Sequence, residues 1–303
     1  MFKRFFIVVL LLSGFVPYGV SHAQLKKRVA VFAFEDKTDH TWHWWDGRGP
    51  GDGMADMLTT ALVKSGKYTV VERKEINQLL DEQKLGQAGI VTQESAAQVG
   101  KMLGVELAVV GSVTEFGYSK KEQGIRIKGF GVGGKSQKAT VAVDVRLINT
   151  TSGEILKAEN VRKDESSTGV SFSSPDLDLT NQSDFDNSIV GKATRAAIDE
   201  IVTLINQNSE SLPWSGKILM IKEGVVYFKP GADEGVKVGD SYAIYTKGEE
   251  LIDPDTGLSL GSEEKKIGTI EVTGFAGEGS KVSKATVRMG GGFQKGDLVR
   301  LNQ

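Results

Sequence analysis

Cysteine is absent from this 303-residue sequence. Its absence excludes disulfide bonds, thiol nucleophiles, cysteine-ligated zinc and iron–sulfur clusters. A bacterial lipoprotein also needs a cysteine where its signal segment is cleaved. We therefore predict a mature protein that carries no lipid anchor.

Histidine is also scarce, and neither positive nor negative charge is in clear excess. The chain has three histidines and a formal net charge of −2. So few histidines leave little material for a Ser/His/Asp or Cys/His catalytic arrangement. No basic excess is present to neutralise the phosphates of a nucleic acid. We expect neither an enzyme nor a nucleic-acid-binding protein, and we predict no cofactor.

Long apolar runs occur only at the N-terminus. A basic start, Lys3–Arg4, precedes the apolar run Phe5–Val16, and small residues then lead to a predicted cut between Ala23 and Gln24. This order is typical of a cleaved secretory signal peptide over 1–23. The alternative is an uncleaved anchor helix, for which the run is short. The sequence therefore predicts an exported, periplasmic protein.

Residues 24–206 predict a domain in which helices pack on a sheet. Strand-like apolar runs and segments with helical spacing follow in the order β-α-β-α-α-β, which favours two or three layers. Thr92 is a candidate N-cap for a helix that ends at Gly104, and a last helix is predicted over 189–206. Strict alternation over 139–147 predicts a strand with one apolar face.

The last third of the chain has a different pattern. Residues 207–215 are polar and are typical of a linker. Residues 216–303 contain five or six short alternating segments broken by glycines, which favours a small closed β-barrel. The predicted fold class is therefore α+β: an α/β sheet with packed helices and β-hairpin insertions, followed by a small all-β barrel domain.

The stretch "GFGVGGKS" matches two phosphate-binding patterns, the P-loop and the dinucleotide string. A P-loop must lead into a helix whose N-terminus faces the phosphate. Here the alternating run "QKATVAVDVRLIN" follows, so we predict a β-hairpin tip whose glycines supply turn conformations. The candidate tip residues are Gly129, Gly131, Gly133 and Gly134. The alternative is a nucleotide hydrolase that uses Lys135.

A second stretch, "DHTWHWWD", is rich in aromatic and metal-ligand side chains. His40 and His43 lie three residues apart beside two aspartates, but a third strong ligand is missing, so we predict no metal site. Exposed tryptophans more often form a contact surface. We predict a contact loop formed by Trp42, Trp44 and Trp45.

Several long segments are similar, in the same order, to the curli production assembly/transport (CsgG-like) family. They include "VAVFAFED", "DMLTTALVKSGKYTVVERKEINQLLDEQKLGQAGIV" and "AAQVGKMLGVELAVVGSVTEF", and the resemblance covers roughly 28–206. It implies a protein of the periplasm or outer membrane of Gram-negative bacteria. It also implies a homo-oligomer, because the best-known members assemble rings in which each subunit gives two β-hairpins to one transmembrane barrel that exports unfolded fibre subunits.

Carried onto this chain, the resemblance implies hairpins at about 118–147 and 163–189. The loop that narrows the pore in such members corresponds to 37–53, which contains the three tryptophans. A membrane-spanning strand needs about nine to eleven residues with an apolar outward face. In the first hairpin, Val141, Val143 and Val145 are candidates for that face.

The C-terminal residues 216–303 resemble the small β-barrel that ends members of the flagellar assembly protein T family. This resemblance implies an interaction domain with partners in the cell envelope. The leading interpretation of the whole chain is an exported envelope protein that acts in secretion or assembly of a surface structure by binding and oligomerisation. The alternatives are an outer-membrane secretion channel, a P-loop hydrolase, and a soluble periplasmic binding module.

Overall fold

The structure is a computed structural model in which 25–38, 48–82, 91–127, 130–168, 182–252, 254 and 259–302 are described. Side chains are described for the same residues except 82, 120–136, 168, 182, 250, 259 and 260. All structural statements below concern these residues.

The described residues form five α-helices and twelve strands. The first unit contains these elements in chain order: β1 (Lys27–Val31), β2 (Glu35–Asp36), α1 (Pro50–Ser65), β3 (Tyr68–Val70), α2 (Arg73–Glu82), α3 (Gln93–Leu103), β4 (Leu107–Ile127), β5 (Phe130–Asn149), β6 (Ile155–Thr168), α4 (Gln182–Asn187) and α5 (Ile189–Ser209). The second unit is entirely strands and short 3-10 turns: β7 (Gly216–Lys222), β8 (Val225–Lys229), β9 (Ser241–Ile252), β10 (Ser259–Ala276), β11 (Val282–Gly290) and β12 (Leu298–Leu301).

The first unit is built on a mixed sheet with the strand order β3-β1-β4-β5-β6. β1 lies parallel to β3 and β4, and the short β2 also pairs in parallel with β4. β4, β5 and β6 are antiparallel neighbours. The parallel strands come from the helix-connected part of the chain and the antiparallel strands from its hairpins, as connection lengths require.

Helices cover both faces of this sheet, so the unit has three layers. On one face, α1 and α5 bury Leu58, Leu62 and Ile201 against the strands. On the other face, α2 and α3 bury Ile76 and Val99. Strands covered on both faces are apolar on both faces, which explains the near-continuous apolar runs at the end of β1 and at the start of β4.

The helix ends follow from local sequence signals. Thr92 is the N-cap of α3, where its hydroxyl accepts a hydrogen bond from the Ser95 N–H at 3.2 Å, and Ser95 caps it reciprocally. Gly104 ends α3 in the left-handed conformation with φ 67°, which glycine adopts at little cost. Both predicted ends of α3 are confirmed. α5 extends to Ser209, three residues beyond the predicted end.

The strict alternation over 139–147 is confirmed, but the interpretation of its apolar face is wrong. Val141, Val143 and Val145 are at most 2% exposed because they pack in the core beneath α5. They are therefore not available as a lipid-facing surface. The structure also differs from the second expected hairpin, because Gln182–Asn187 at the end of the 163–189 segment form helix α4.

The second unit is a closed six-stranded barrel with the order β10-β11-β8-β7-β12-β9. Its core is aromatic: the Tyr242 ring lies 5.3 Å from the Trp214 ring and 5.5 Å from the Phe228 ring, measured between centroids. Closure leaves no unpaired sheet edge. The predicted barrel is confirmed.

The segment predicted as a linker is packed at two points. Leu212 is buried in the core of the first unit and Trp214 in the core of the barrel. At the other chain end of the first unit, Leu25 packs against the barrel core, and the Lys26 N–H donates to the Glu234 carbonyl at 2.9 Å. The barrel is therefore held at the end of the sheet where strands β1 and β4 begin.

Within the described residues, no helix combines the length and apolar character needed to cross a membrane.

Candidate functional site

Two strands, β4 and β5, extend beyond β1, β2 and β3, and β6 accompanies β5 as far as Thr168 opposite Ser136. β4 pairs with β1 only over 107–109 and with β2 only over 112–113, whereas it pairs with β5 as far as Ile127 opposite Phe130. We call residues 114–127 and 130–142 of this pair the ribbon. At about 3.3 Å per residue, the β4 arm of the ribbon is roughly 45 Å long.

We call the ribbon residues up to Ser119 on β4 and from Gln137 on β5 the ribbon base. One face of the ribbon base is polar and ion-paired. Arg162 of β6 pairs with Glu115 of β4, and the Thr140 hydroxyl donates to the Asp164 carboxylate at 2.6 Å. Lys138 also lies 3.2 Å from this carboxylate. The hydrogen bond from Thr140, followed by that from Lys138, lowers the pKa of Asp164. Because these groups are exposed and charged, this face is suited to water.

The opposite face of the ribbon base is closed by a helix. Val141 and Val143 lie in one core with Ile198, Ile201 and Phe185 of the α4–α5 segment. With one face polar and the other covered, the ribbon base is part of the folded unit. Any contact with a bilayer therefore has to come from beyond Ser119 and before Gln137.

The segment that contains the three tryptophans leaves the sheet where the ribbon begins. β2 lies beside β4, with Asp36 opposite Val113, and the Lys37 N–H donates to the Val113 carbonyl at 2.9 Å. Because β2 is parallel to β4, the chain leaves β2 in the direction in which the ribbon extends.

The chain returns from that segment into a tightly held helix start. A Cβ on Gly51 would collide with the Phe34 carbonyl oxygen, so the start of α1 lies directly against the backbone that leads into β2. Four charged side chains then form a network. Its distances are 2.6 Å for Arg48–Asp56, 3.0 Å for Arg73–Asp52 and 2.9 Å for Arg73–Asp56.

This network was not predicted from the sequence. Its signal was present, because Asp52 and Asp56 are four residues apart and therefore lie on the same side of a helix. Arg48 and Arg73 come from either side of that helix in sequence, so only the fold shows that they meet there.

A third segment leaves from the same end. β6 runs parallel to β4 and ends at Thr168, opposite Ser136 of β5. The flanks of 39–47, the ribbon and the end of β6 at Thr168 therefore all lie at one end of the sheet. We call this end the ribbon end.

The predicted site residues are only partly described. Gly131, Gly133 and Gly134 lie on β5, opposite Arg126, Gly124 and Gln123 respectively. Lys135 is also on β5, and this strand continues to Asn149. The phosphate-like string is therefore followed by a strand. The other predicted site residues lie outside the described residues: Trp42, Trp44, Trp45, Gly129, Ala23 and Gln24.

Metal-ligand side chains do not converge in the part of the chain that the structure describes, where no group of three histidine or carboxylate residues could hold an ion. His40 and His43 lie outside that part.

Solved structures with a related arrangement are only distantly similar. A hypothetical protein from Chlamydia trachomatis is 14% identical, with a TM-score of 0.38, and the match covers 60% of this chain and 97% of that one. The lipoprotein GNA1162 from Neisseria meningitidis is 15% identical, with a TM-score of 0.33 and coverage of 61% and 99%. Scores of this size establish neither a shared fold nor a shared function.

Sequence comparison gives a clearer result. The curli production assembly/transport component CsgG of Salmonella typhimurium is 30% identical over 113 residues, which is 35% of this chain and 41% of that protein. The chain thus spans about two fifths of the length of the curated relatives that it matches. The family model described as the curli production assembly/transport component CsgG matches residues 19–216, well over half of the chain. The chain therefore belongs to the CsgG family.

Proposed function

We propose that this chain is an exported cell-envelope protein that acts in the secretion or assembly of a surface structure. It would do so by self-association and binding, without catalysis. Family membership supports the secretion or assembly role. The signal-like N-terminal segment supports export to the periplasm, and the lack of cysteine supports a protein without a lipid anchor.

The observation that carries this proposal is the ribbon end. Three segments leave the sheet there, and one of them is a strand pair that extends past every other strand. Where this pair passes the end of β6, at 122–127 of β4 and 130–135 of β5, its outer edges pair with no described strand, and such edges favour pairing with another chain. We therefore assign self-association to the ribbon end, and contact with substrate or partner to the Trp42, Trp44 and Trp45 segment.

The test is the state of the full chain expressed with its N-terminal segment in a Gram-negative host. We expect a processed protein in the envelope whose detergent extract contains closed rings in negative-stain images. Light scattering should give a mass that is a whole multiple of the monomer. A monodisperse monomer in both the soluble and the extracted fractions would contradict the proposal.

A second candidate function is an outer-membrane secretion channel. The reach of the ribbon favours it, because its strands continue past the folded unit as 120–127 and 130–136, close to the nine to eleven residues or so that a membrane-spanning strand needs. In this version the tryptophan segment narrows the pore, as the family resemblance implies.

Conductance in a planar bilayer tests the channel. We expect discrete single-channel currents from the purified rings. The double variant Trp44→Ala with Trp45→Ala should raise the conductance, by roughly twofold or more, because removing two indole rings widens a constriction. The ring mass should stay unchanged. Rings without any current would contradict the channel, and an unchanged conductance would contradict the role of the tryptophans.

The barrel has a separate proposed role. Its resemblance to the C-terminal domain of the flagellar assembly protein T family supports an interaction with another component of the cell envelope. Its closed sheet supports binding through side chains, because closure uses the backbone hydrogen bonds internally.

A further inference from the structure

A cleft of about 380 Å³ lies between the two units, at the end of the sheet opposite the ribbon. The first unit lines it with the C-terminal turn of α3, the start of β4 and the turn between β5 and β6. The barrel lines it with strands β7, β9 and β12 and with the Lys229–Pro230 corner. Neither unit alone forms the cleft.

Basic side chains outnumber acidic ones in this cleft. The charged residues that line it are Arg28, Lys101, Lys217, Lys229, Lys247, Arg300, Glu106, Glu234 and Glu264. The acidic groups are largely engaged within the protein. Glu264 pairs with Arg300 at 2.7 Å, and Glu106 accepts the backbone N–H of Arg28 at 2.7 Å.

The lysines of the barrel face one another. Lys217 and Lys229 are direct cross-strand partners on β7 and β8, an arrangement that is destabilising for like charges. Burial lowers the pKa of Lys247, and repulsion from Lys217, Lys101 and Arg300 lowers it further, while the charge of Glu264 raises it in part. Among the described side chains, no carboxylate lies within 4 Å of Lys217, Lys229 or Lys247.

A buried donor lines the same cleft. The Nε–H of Arg28 is buried and has no hydrogen-bond partner among the described atoms. Leaving such a charged donor unsatisfied costs free energy, typically about 1–3 kcal/mol or more. The charge of Arg28 already interacts with the Glu106 and Glu234 carboxyl groups, but its Nε–H still lacks an acceptor, which an anionic oxygen in the cleft would supply.

We propose that the inter-unit cleft is a binding site for a phosphate-bearing anion, held by Lys217, Lys229 and Lys247 of the barrel with Lys101 and Arg28 of the first unit. Lysine binds phosphate as a point charge, whereas arginine binds it through two fixed donors. The cleft therefore selects for charge density more than for one planar geometry. Its volume has room for a diphosphate or for a phosphate ester.

Two sources can supply this chemistry: a soluble phosphate compound or the phosphorylated headgroup of a lipid. This site goes beyond the proposed function. It uses neither the ribbon nor the tryptophan segment, so the monomer is sufficient to test it. Failure of this proposal therefore leaves the assembly proposal unaffected.

Titration of the full chain with sodium pyrophosphate at constant ionic strength tests the site. We expect saturable heat in calorimetry with a Kd below about 1 mM, and a loss of affinity of about tenfold or more in the variant Lys217→Gln with Lys247→Gln. The matched control is Lys222→Gln with Lys281→Gln, which removes two exposed barrel lysines outside the cleft. It should bind within about twofold of the wild type.

A second arm distinguishes the sources. Co-sedimentation with phosphatidylcholine vesicles that contain phosphatidic acid, lost in the cleft variant and kept in the control, would assign a lipid headgroup. Pyrophosphate binding without vesicle binding would assign a soluble phosphate compound. The proposal is overturned if the wild type shows no saturable pyrophosphate binding, or if the control variant weakens as much as a cleft variant that retains the wild-type circular dichroism spectrum.

Discussion

Glu106 carries a carboxyl group whose pKa is strongly raised in the folded protein. Burial raises its pKa to about 7, against hydrogen bonds from the backbone N–H groups of Arg28 and Glu106 and the charge of Arg28, all of which lower it. Glu234, across the inter-unit boundary, adds repulsion, and burial raises its own pKa too. Lys27 also interacts electrostatically with Glu106. The boundary between the two units therefore holds a carboxyl that changes charge near neutral pH.

The sign of its effect on stability follows from linkage. The folded chain holds the Glu106 proton more tightly than the unfolded chain, whose ordinary value is 4.5. The folded state then binds more protons between pH 4.5 and about 7, so the free energy of unfolding falls as pH rises through that window. We expect a decrease of about 1–3 kcal/mol from this group.

Urea denaturation at a series of pH values from about 5 to about 8 measures this slope. In Glu106→Gln the slope should be clearly smaller, because glutamine does not titrate and its side-chain oxygen still accepts from Arg28. Some slope should persist because of Glu234. The control Glu278→Gln, on an exposed turn, should keep the wild-type slope. An unchanged slope in Glu106→Gln would rule out this role for the buried carboxyl.

Among the elements, β5 shows most clearly what the sequence predicts and what it leaves open. The alternation over 139–147 predicted correctly which side chains share a face, because a strand turns successive residues to opposite sides. It could not tell whether that face meets lipid or protein. The answer depends on α5, whose Ile198 and Ile201 are about sixty residues away in sequence but pack on the same core.

The same reasoning explains the other elements. The ends of α3 were predictable because a cap is a local interaction, made by Thr92 and Ser95 at one end and Gly104 at the other. The charge network at the base of the tryptophan segment was not, because Arg73 at the start of α2 reaches Asp52 of α1 only once both helices are placed on the sheet. Local signals were thus predictable, and contacts that depend on tertiary packing were not.

A pair of neighbouring substitutions tests the assignment of the two faces of β5. Val143→Ala should lower the free energy of unfolding by about 2 kcal/mol, because it removes buried methyl groups beneath α5. Asp144→Ala faces the other way and loses an exposed hydrogen bond from Asn160, so it should change stability by about 0.5 kcal/mol or less. Denaturant melts of both variants check this. Equal effects would contradict the assignment.

Across the whole molecule, the two candidate sites lie at opposite ends of one sheet. The barrel is fixed where β1 and β4 begin, by Leu25, Leu212 and the Lys26 to Glu234 hydrogen bond. The ribbon extends from the other end. An assembly formed through the ribbons therefore leaves every barrel and every inter-unit cleft at its opposite end. Self-association and binding by the barrel can then proceed without obstructing each other.

A shortened ribbon tests self-association while keeping the folded core. Lys120 and Gln137 are direct partners on β4 and β5, so an Asn-Gly turn can replace 121–136 and close the hairpin there. The core side chains beneath α5 remain in place. The shortened chain should therefore unfold at about the wild-type temperature.

The most direct measurement is the mass of the detergent-extracted protein by light scattering, for the wild type and the shortened-ribbon variant side by side. For the wild type we predict a mass that is a whole-number multiple of the monomer mass, as expected for a closed ring. For the variant we predict the mass of a folded monomer. A folded variant that keeps the full mass of the wild type, or a wild type that is itself a monomer, would contradict assembly through the ribbon end.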